Sequence, residues 1–175
     1  MSYRKPYIES SVFIEYIRAE RRDRADVVQS ILDAAERSEL TIVTATWTFV
    51  EVHKRRAFSK DVLTAAQSKQ IIEYFRESYI DPVEIDRLVA ERAHELCRTY
   101  LPDGVNKALR PGDAVHIAAA ERGQADVILS YDPDFLKLAY TRIPIEEPAM
   151  VKKPEAPKPL GGEQLGLLDG NVPSK

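Results

Sequence analysis

Four acidic residues fall where the chain turns from a strand-like run into a helix-like one: Glu9, Glu51, Asp113 and Asp132. Acids make up 28 of the 175 residues, so placement rather than residue type singles these four out. In a parallel α/β sheet, ligand sites lie beyond the carboxyl ends of the strands. Carboxylates gathered there repel one another by roughly 4 kcal/mol per close pair at an effective dielectric near 20. Such a cluster is tolerable only when it is protonated or holds a cation. Oxygen donors without a required Cys or His companion favour Mg²⁺ or Mn²⁺ over Zn²⁺, and sites of that kind hydrolyse phosphodiesters.

Other candidate residues divide between chemistry and structure. Asp134 reads either as the N-cap of a short helix, a role aspartate fills well, or as a further metal ligand. His116, three residues beyond Asp113 among Ala and Ile, reads as a packed or capping histidine rather than a general base. His53 stands two residues from Glu51, about 160° away around a helix, and reads as a surface residue. Glu51 itself could be a surface charge paired with Arg55 at i+4, a contact of only about 0.3 kcal/mol. Ser10 and Ser11 lack a Gly-x-Ser-x-Gly elbow and suit helix capping instead. Arg18, Arg21, Arg22 and Arg24, with Lys54, Arg55, Arg56 and Lys60, could grip phosphates or simply solvate helix faces.

Positioning these side chains requires strands alternating with helices. Tyr7-Ile8-Glu9 reads as a strand passing directly into a helix capped by Ser10 or Ser11. In 25–37, Val28, Ile31, Leu32 and Ala35 recur on one helical face. Residues 40–44 form a β-branched run suited to a strand buried on both faces, with Thr46 as the cap of the helix carrying Glu51. Further helices are expected over 65–77 and 84–100, separated by a short strand at 79–83. Pro111 opens and Gly123 closes an Ala-rich helix, followed by a strand at 126–130, a short helix over 134–139 and an edge strand at 142–145. The alternation predicts an α/β fold with a mainly parallel central sheet and helices on both faces, a three-layer α/β/α arrangement. No internal repeat suggests a solenoid.

A chain of this length buries one sizeable core. The net charge of −3 argues against holding nucleic acid by bulk electrostatics but not against an enzyme that touches it locally. The single cysteine, Cys97, excludes an internal disulfide, and no apolar run nears the roughly 18 residues of a membrane span. With no signal-like stretch at the amino terminus, a cytoplasmic location is expected. Five of 11 prolines and four of 7 glycines fall in the last 28 residues. The expected division is therefore a body over 1–147 and a disordered Pro/Gly-rich tail over 148–175.

Four separated stretches together resemble the PIN-domain family, whose best-known bacterial members are the VapC-type toxins. Tyr7-Ile8-Glu9-Ser10-Ser11 is similar to the opening strand and helix, and Thr44-Ala45-Thr46-Trp47-Thr48-Phe49-Val50-Glu51 to the second segment. Arg110-Pro111-Gly112-Asp113-Ala114-Val115-His116-Ile117-Ala118 is the most specific match. Val127-Ile128-Leu129-Ser130-Tyr131-Asp132-Pro133-Asp134-Phe135 resembles the fourth, with Asp132 in the acidic position and Asp134 as the alternative. The likeness spans about 7–147 and departs from the family at Glu9, where aspartate is usual. It implies an Mg²⁺- or Mn²⁺-dependent endoribonuclease, with Glu9, Glu51, Asp113 and Asp132 catalytic and Glu9, Asp113, Asp132 and Asp134 holding the metal. It also implies an RNA substrate, a cognate antitoxin and a homodimer. A PIN-fold binding module without nuclease activity is the alternative. A haloacid-dehalogenase phosphatase lacks support, since the first strand offers no Asp-x-Asp. In the tail, Gln164-Leu165-Gly166-Leu167-Leu168 resembles short peptides that dock on bacterial sliding clamps.

Overall fold

The computed structural model describes residues 3–18, 21–52, 64–100, 109–138 and 142–152. Its centre is a five-stranded, wholly parallel sheet. The strands are β1 (Pro6–Ile8), β2 (Ile42–Ala45), β3 (Ile80–Val83), β4 (Val127–Leu129) and β5 (Ile145–Glu146), in spatial order β3-β2-β1-β4-β5. Among the described residues the helices are α1 (Ser10–Arg18), α2 (Arg22–Glu36), α3 (Thr46–Glu51), α4 (Ala65–Tyr74), α5 (Arg87–Thr99) and α6 (Pro111–Arg122). The fold is the α/β class that the alternation of strands and helices predicts.

Side chains of successive strand residues point to opposite faces, and this divides the interior into two cores. Ile8, Ile42 and Leu129 join Val12, Phe13, Val28, Ile31, Leu32, Ile71 and Phe75 beneath α1, α2 and α4. Their strand neighbours Tyr7, Val43 and Ile128 join Val89, Ala93, Leu96, Ile117 and Ala118 beneath α5 and α6. The central strands are buried on both faces, so they read as unbroken apolar runs rather than alternating ones. Packing continues past the sheet to Val151, which lies against the first core and whose N–H donates to Ser30 Oγ at 3.1 Å. No helix among the described residues is long and apolar enough to cross a membrane.

Element ends differ from expectation where a side chain other than the anticipated one takes up backbone groups. Neither Ser10 nor Ser11 caps α1: the Glu9 carbonyl accepts from Val12 N–H and the Glu9 carboxylate from Ser11 N–H, so Glu9 is the cap. Thr46 is the first residue of α3, and its N-cap, Ala45, contributes no side-chain bond. The fifth helix starts at Arg87 rather than Glu84, because Asp86 accepts from Val89 N–H at 2.9 Å. The short helix expected from Asp134 is instead a turn: Asp132 Oδ1 accepts from Asp134 N–H and the Asp132 carbonyl from Leu136 N–H. The capping role expected of Asp134 thus passes to Asp132. His53, Lys54, Arg55, Arg56, Lys60 and the clamp-like stretch 164–168 lie outside the described residues.

Gly123, which ends α6, seats that helix on the sheet. A Cβ there would stand 2.4 Å from Val43 Cγ1 and 3.1 Å from Val83 Cγ2, and Val43 is fully buried with no room to retreat. Overpacking of this kind costs about 1–3 kcal/mol. Gly123→Ala is expected to lower stability by that amount in denaturant unfolding, and an unchanged midpoint would show that α6 is not held against β2 there.

Candidate metal centre

The winding of the chain across the sheet reverses at β1, with β2 and β3 to one side and β4 and β5 to the other. Such a switch point opens a crevice beyond the strand ends, and Glu9 and Ser130 leave β1 and β4 into it. Glu9 N–H donates to the Leu129 carbonyl at 3.1 Å, carrying the strand pairing one residue further. The Glu9 side chain is buried and receives a full set of donors. Ser10 Oγ donates to Oε1 at 2.5 Å, while Oε2 accepts from Ser11 N–H at 3.0 Å, from Ser130 Oγ at 2.9 Å and from Ser11 Oγ. A buried carboxylate is sustained by such bonds. The serines that flank Glu9 therefore orient it.

Glu51, at the end of α3, meets His116 from the second turn of α6. His116 is buried, and both ring nitrogens are engaged: Nδ1 with Tyr7 Oη at 2.7 Å and Nε2 with Glu51 Oε2 at 2.7 Å. With the Tyr7 hydroxyl donating to Nδ1, a neutral imidazole donates its Nε2–H to Glu51, which satisfies the buried chain without adding a charge. Burial raises the Glu51 pKa, but the interaction with His116, above all its hydrogen bond, outweighs it and holds the carboxyl below its ordinary range. Burial likewise pushes the Tyr7 phenol well above its ordinary value, helped by the Glu9 charge. Glu9 Oε1 stands 3.7 Å from His116 Nε2.

Asp113, in the first turn of α6, and Asp132, after β4, are joined by a cation from within the chain. Arg110 Nε donates to Asp113 Oδ2 at 2.8 Å and Nη2 to Asp132 Oδ2 at 2.7 Å. Burial raises the Asp113 pKa; Arg110 opposes this, while the charges of Asp132 and Glu9 add to it. Gly112 stands at the rim, where a Cβ would touch Glu51 Oε1 at 3.6 Å.

Glu9, Glu51 and His116 each offer one donor atom, and these lie within 4.8 Å of one another, a spacing that fits a single cation. The ligand set expected from sequence is oxygen-only and centred on Glu9, Asp113, Asp132 and Asp134. His116 is packed as anticipated, yet its Nε2 stands among the donors, which widens the fit toward metals that accept imidazole. It could ligate only as the other tautomer, with Nδ1–H donating to Tyr7. The Asp134 backbone N–H bonds Asp132. Sequence reasoning missed Arg110, although it heads the most specific motif, and missed Tyr7, whose side chain is engaged 109 residues away. Of the arginines considered for phosphate, Arg24 is committed elsewhere, lying 4.2 Å over the Tyr131 ring and pairing with Glu15, and Arg21 pairs with Asp23.

Fold and crevice together define a three-layer α/β protein with an acidic, cation-compatible centre at the carboxyl edge of a parallel sheet. A family profile described as PIN domain matches residues 7–140, and the chain belongs to that family. No curated protein matches it in sequence. Among solved structures it is similar to VapBC2 from Rickettsia felis bound to a promoter DNA fragment. That match has a TM-score of 0.57 and 14% identity, covering 82% of this chain and 98% of the other. It is also similar to VapC20 from Mycobacterium tuberculosis, a sarcin-ricin loop cleaving toxin, at TM-score 0.55 and 11% identity over 79% and 98%. A toxin-antitoxin complex from Klebsiella pneumoniae matches at TM-score 0.53 and 17% identity over 83% and 99%.

Arg110 and a divalent cation would compete for the same two aspartates. Arg110→Gln is therefore expected to tighten Mn²⁺ binding severalfold, measured by titration calorimetry on the full chain. Unchanged or weaker binding would show that the guanidinium does not guard the pair.

Proposed function

We propose that the protein is a metal-dependent endoribonuclease and the toxin of a toxin-antitoxin pair. The observation that carries this reading is the convergence of Glu9, Glu51, His116 and the Asp113–Arg110–Asp132 bridge at one strand edge of a PIN domain. When bound, Mg²⁺ or Mn²⁺ supplies an acidified water and neutralises charge gathering on the phosphoryl oxygens. Glu9, Asp113 and Asp132 would hold it, with Asp134 as a further ligand. Glu51, kept anionic by His116, would orient the attacking water. Arg110, once displaced from the aspartates, remains at the rim with a guanidinium free to pair with substrate phosphate.

The toxin role rests on likeness to toxin-antitoxin proteins, one of which is a sarcin-ricin loop cleaving toxin. On this reading the chain acts in the cytoplasm on cellular RNA, forms a homodimer and is silenced by a cognate antitoxin. The clamp-like stretch at 164–168 adds a second partner, a sliding clamp, for the tail. One feature favours the reading of a PIN-fold module without nuclease activity: Arg110 already neutralises two of the four acids. Cleavage assays separate the readings. Asp113→Asn removes a ligand charge at nearly constant volume and relieves its repulsion with Asp132 and Glu9. The variant is expected to fold normally and lose cleavage of single-stranded RNA with Mg²⁺ or Mn²⁺ by at least about a hundredfold, the scale on which a catalytic group contributes. Wild-type turnover by a folded variant removes Asp113 from the site, and an inactive wild type supports the binding module.

A further inference from the structure

Tyr131 stands in the chain between two residues of the centre. Before it, Ser130 Oγ donates to Glu9 Oε2 at 2.9 Å. After it, Asp132 N–H donates to Ser130 Oγ at 3.0 Å, and Asp132 Oδ2 accepts from Arg110. The Tyr131 N–H donates to Ser11 Oγ at 2.9 Å, which ties its backbone to the serines around Glu9. Its side chain is buried in the first core. The Tyr131 hydroxyl has no hydrogen-bond partner among the described residues, so no polar bond there orients the ring. Arg24, in the first turn of α2, lies over that ring with Cζ 4.2 Å from the centroid. The carboxylates beside Arg24, Glu15 at 3.8 Å and Glu147 at 4.0 Å, stand beyond hydrogen-bond distance. They favour the cation there without drawing it off the ring.

We propose that Arg24 is a positioning residue for Asp132, acting through the Tyr131 ring. The proposal rests on the reading in which Asp132 holds a divalent cation. Arg110 also restrains Asp132, but it occupies a carboxylate oxygen and has to leave before that oxygen can ligate. Arg24 touches the ring and none of the ligand atoms, so its restraint persists when the cation is bound. A cation over an aromatic face is attracted more strongly where water is partly excluded, and Arg24 has only 22% of its side chain exposed. Mg²⁺ tolerates displaced donors poorly, so groups that fix the orientation of a ligand raise affinity without ligating. The two arginines therefore act with opposite sign: removing Arg110 frees ligand atoms, whereas removing Arg24 loosens the segment that presents them. The sign also separates positioning from bulk electrostatics. Deleting a positive charge near the centre would, by charge alone, strengthen its attraction for a divalent ion; loss of positioning weakens it.

Mn²⁺ affinity of the full chain is measured by titration calorimetry for the wild type, Arg24→Ala, Tyr131→Leu, their double variant, Tyr131→Phe and Asp132→Asn. Thermal unfolding in chelator and RNA cleavage at saturating Mn²⁺ accompany each. Arg24→Ala is expected to weaken Mn²⁺ binding by about threefold to tenfold, within the range of one cation–π contact, and to lower kcat with KM unchanged. Tyr131→Leu is expected to reproduce that loss, and adding Arg24→Ala to it to cost nothing further. Tyr131→Phe keeps the ring and removes only the unpartnered hydroxyl, so it is expected to bind Mn²⁺ as the wild type does. Arg24→Ala and Tyr131→Phe decide the matter by themselves if Tyr131→Leu does not fold. The proposal is overturned if Arg24→Ala lowers the metal-free Tm but leaves Mn²⁺ affinity and kcat unchanged, because the contact is then packing alone. A raised KM with Mn²⁺ affinity kept assigns Arg24 to substrate phosphate and also overturns it. So does an Arg24→Ala effect that persists undiminished beside Tyr131→Leu. If Asp132→Asn weakens Mn²⁺ binding and Arg24→Ala does not, the positioning fails and the metal centre stands; if neither does, both fail. Weakened Mn²⁺ binding by Arg24→Ala in a chain that cleaves no RNA supports the positioning and tells against the nuclease reading alone.

Discussion

The structure depends on holding several carboxylates in one crevice against their mutual repulsion. Each is given its own counterweight. Glu9 receives the hydroxyls of Ser10, Ser11 and Ser130 and a backbone N–H. Glu51 receives the imidazole of His116, and Asp113 and Asp132 share the guanidinium of Arg110. These counterweights differ in kind. Neutral donors around Glu9 leave its charge in place, whereas Arg110 cancels charge and is 55% exposed, so it can leave. The centre therefore has a fixed half, braced between β1 and β4, and an exchangeable half at the rim.

The fixed half is built from the sheet outward. Tyr7 and Ile8 point to opposite cores, and the Tyr7 hydroxyl reaches through its core to orient His116. Gly123 lets α6 lie close enough for His116 to meet both Tyr7 and Glu51. Glu9, one methylene longer than the aspartate usual in the family, caps α1 with its own side chain, which draws the carboxylate back toward the backbone.

The strands and most helix faces are legible in the sequence because each is a local pattern: an apolar run or a helical period. The counterweights are not, since they join residues far apart in the chain. Ser130 reaches Glu9 across 121 positions and His116 reaches Glu51 across 65, and no periodicity encodes such pairs. Capping departs from expectation for the same reason. Serine is the commoner cap by propensity, but the Ser10 and Ser11 hydroxyls are drawn to the Glu9 carboxylate, and the Glu9 side chain accepts the Ser11 N–H. Asp134 lacks its expected helix because Asp132, two residues earlier, captures its N–H and closes a turn.

A site whose acids are braced for a cation should gain stability when one arrives, because an ion that binds only the folded cluster stabilises it by mass action. Thermal unfolding of the full chain in chelator and in rising Mn²⁺ tests this directly. At one hundred times the dissociation constant the gain is about 2.7 kcal/mol, which for a chain of this size raises Tm by about 5–10 °C. A Tm that stays the same through the Mn²⁺ titration, and through the same titration with Mg²⁺, would contradict the account, leaving Arg110 and the serines as the permanent partners of these carboxylates.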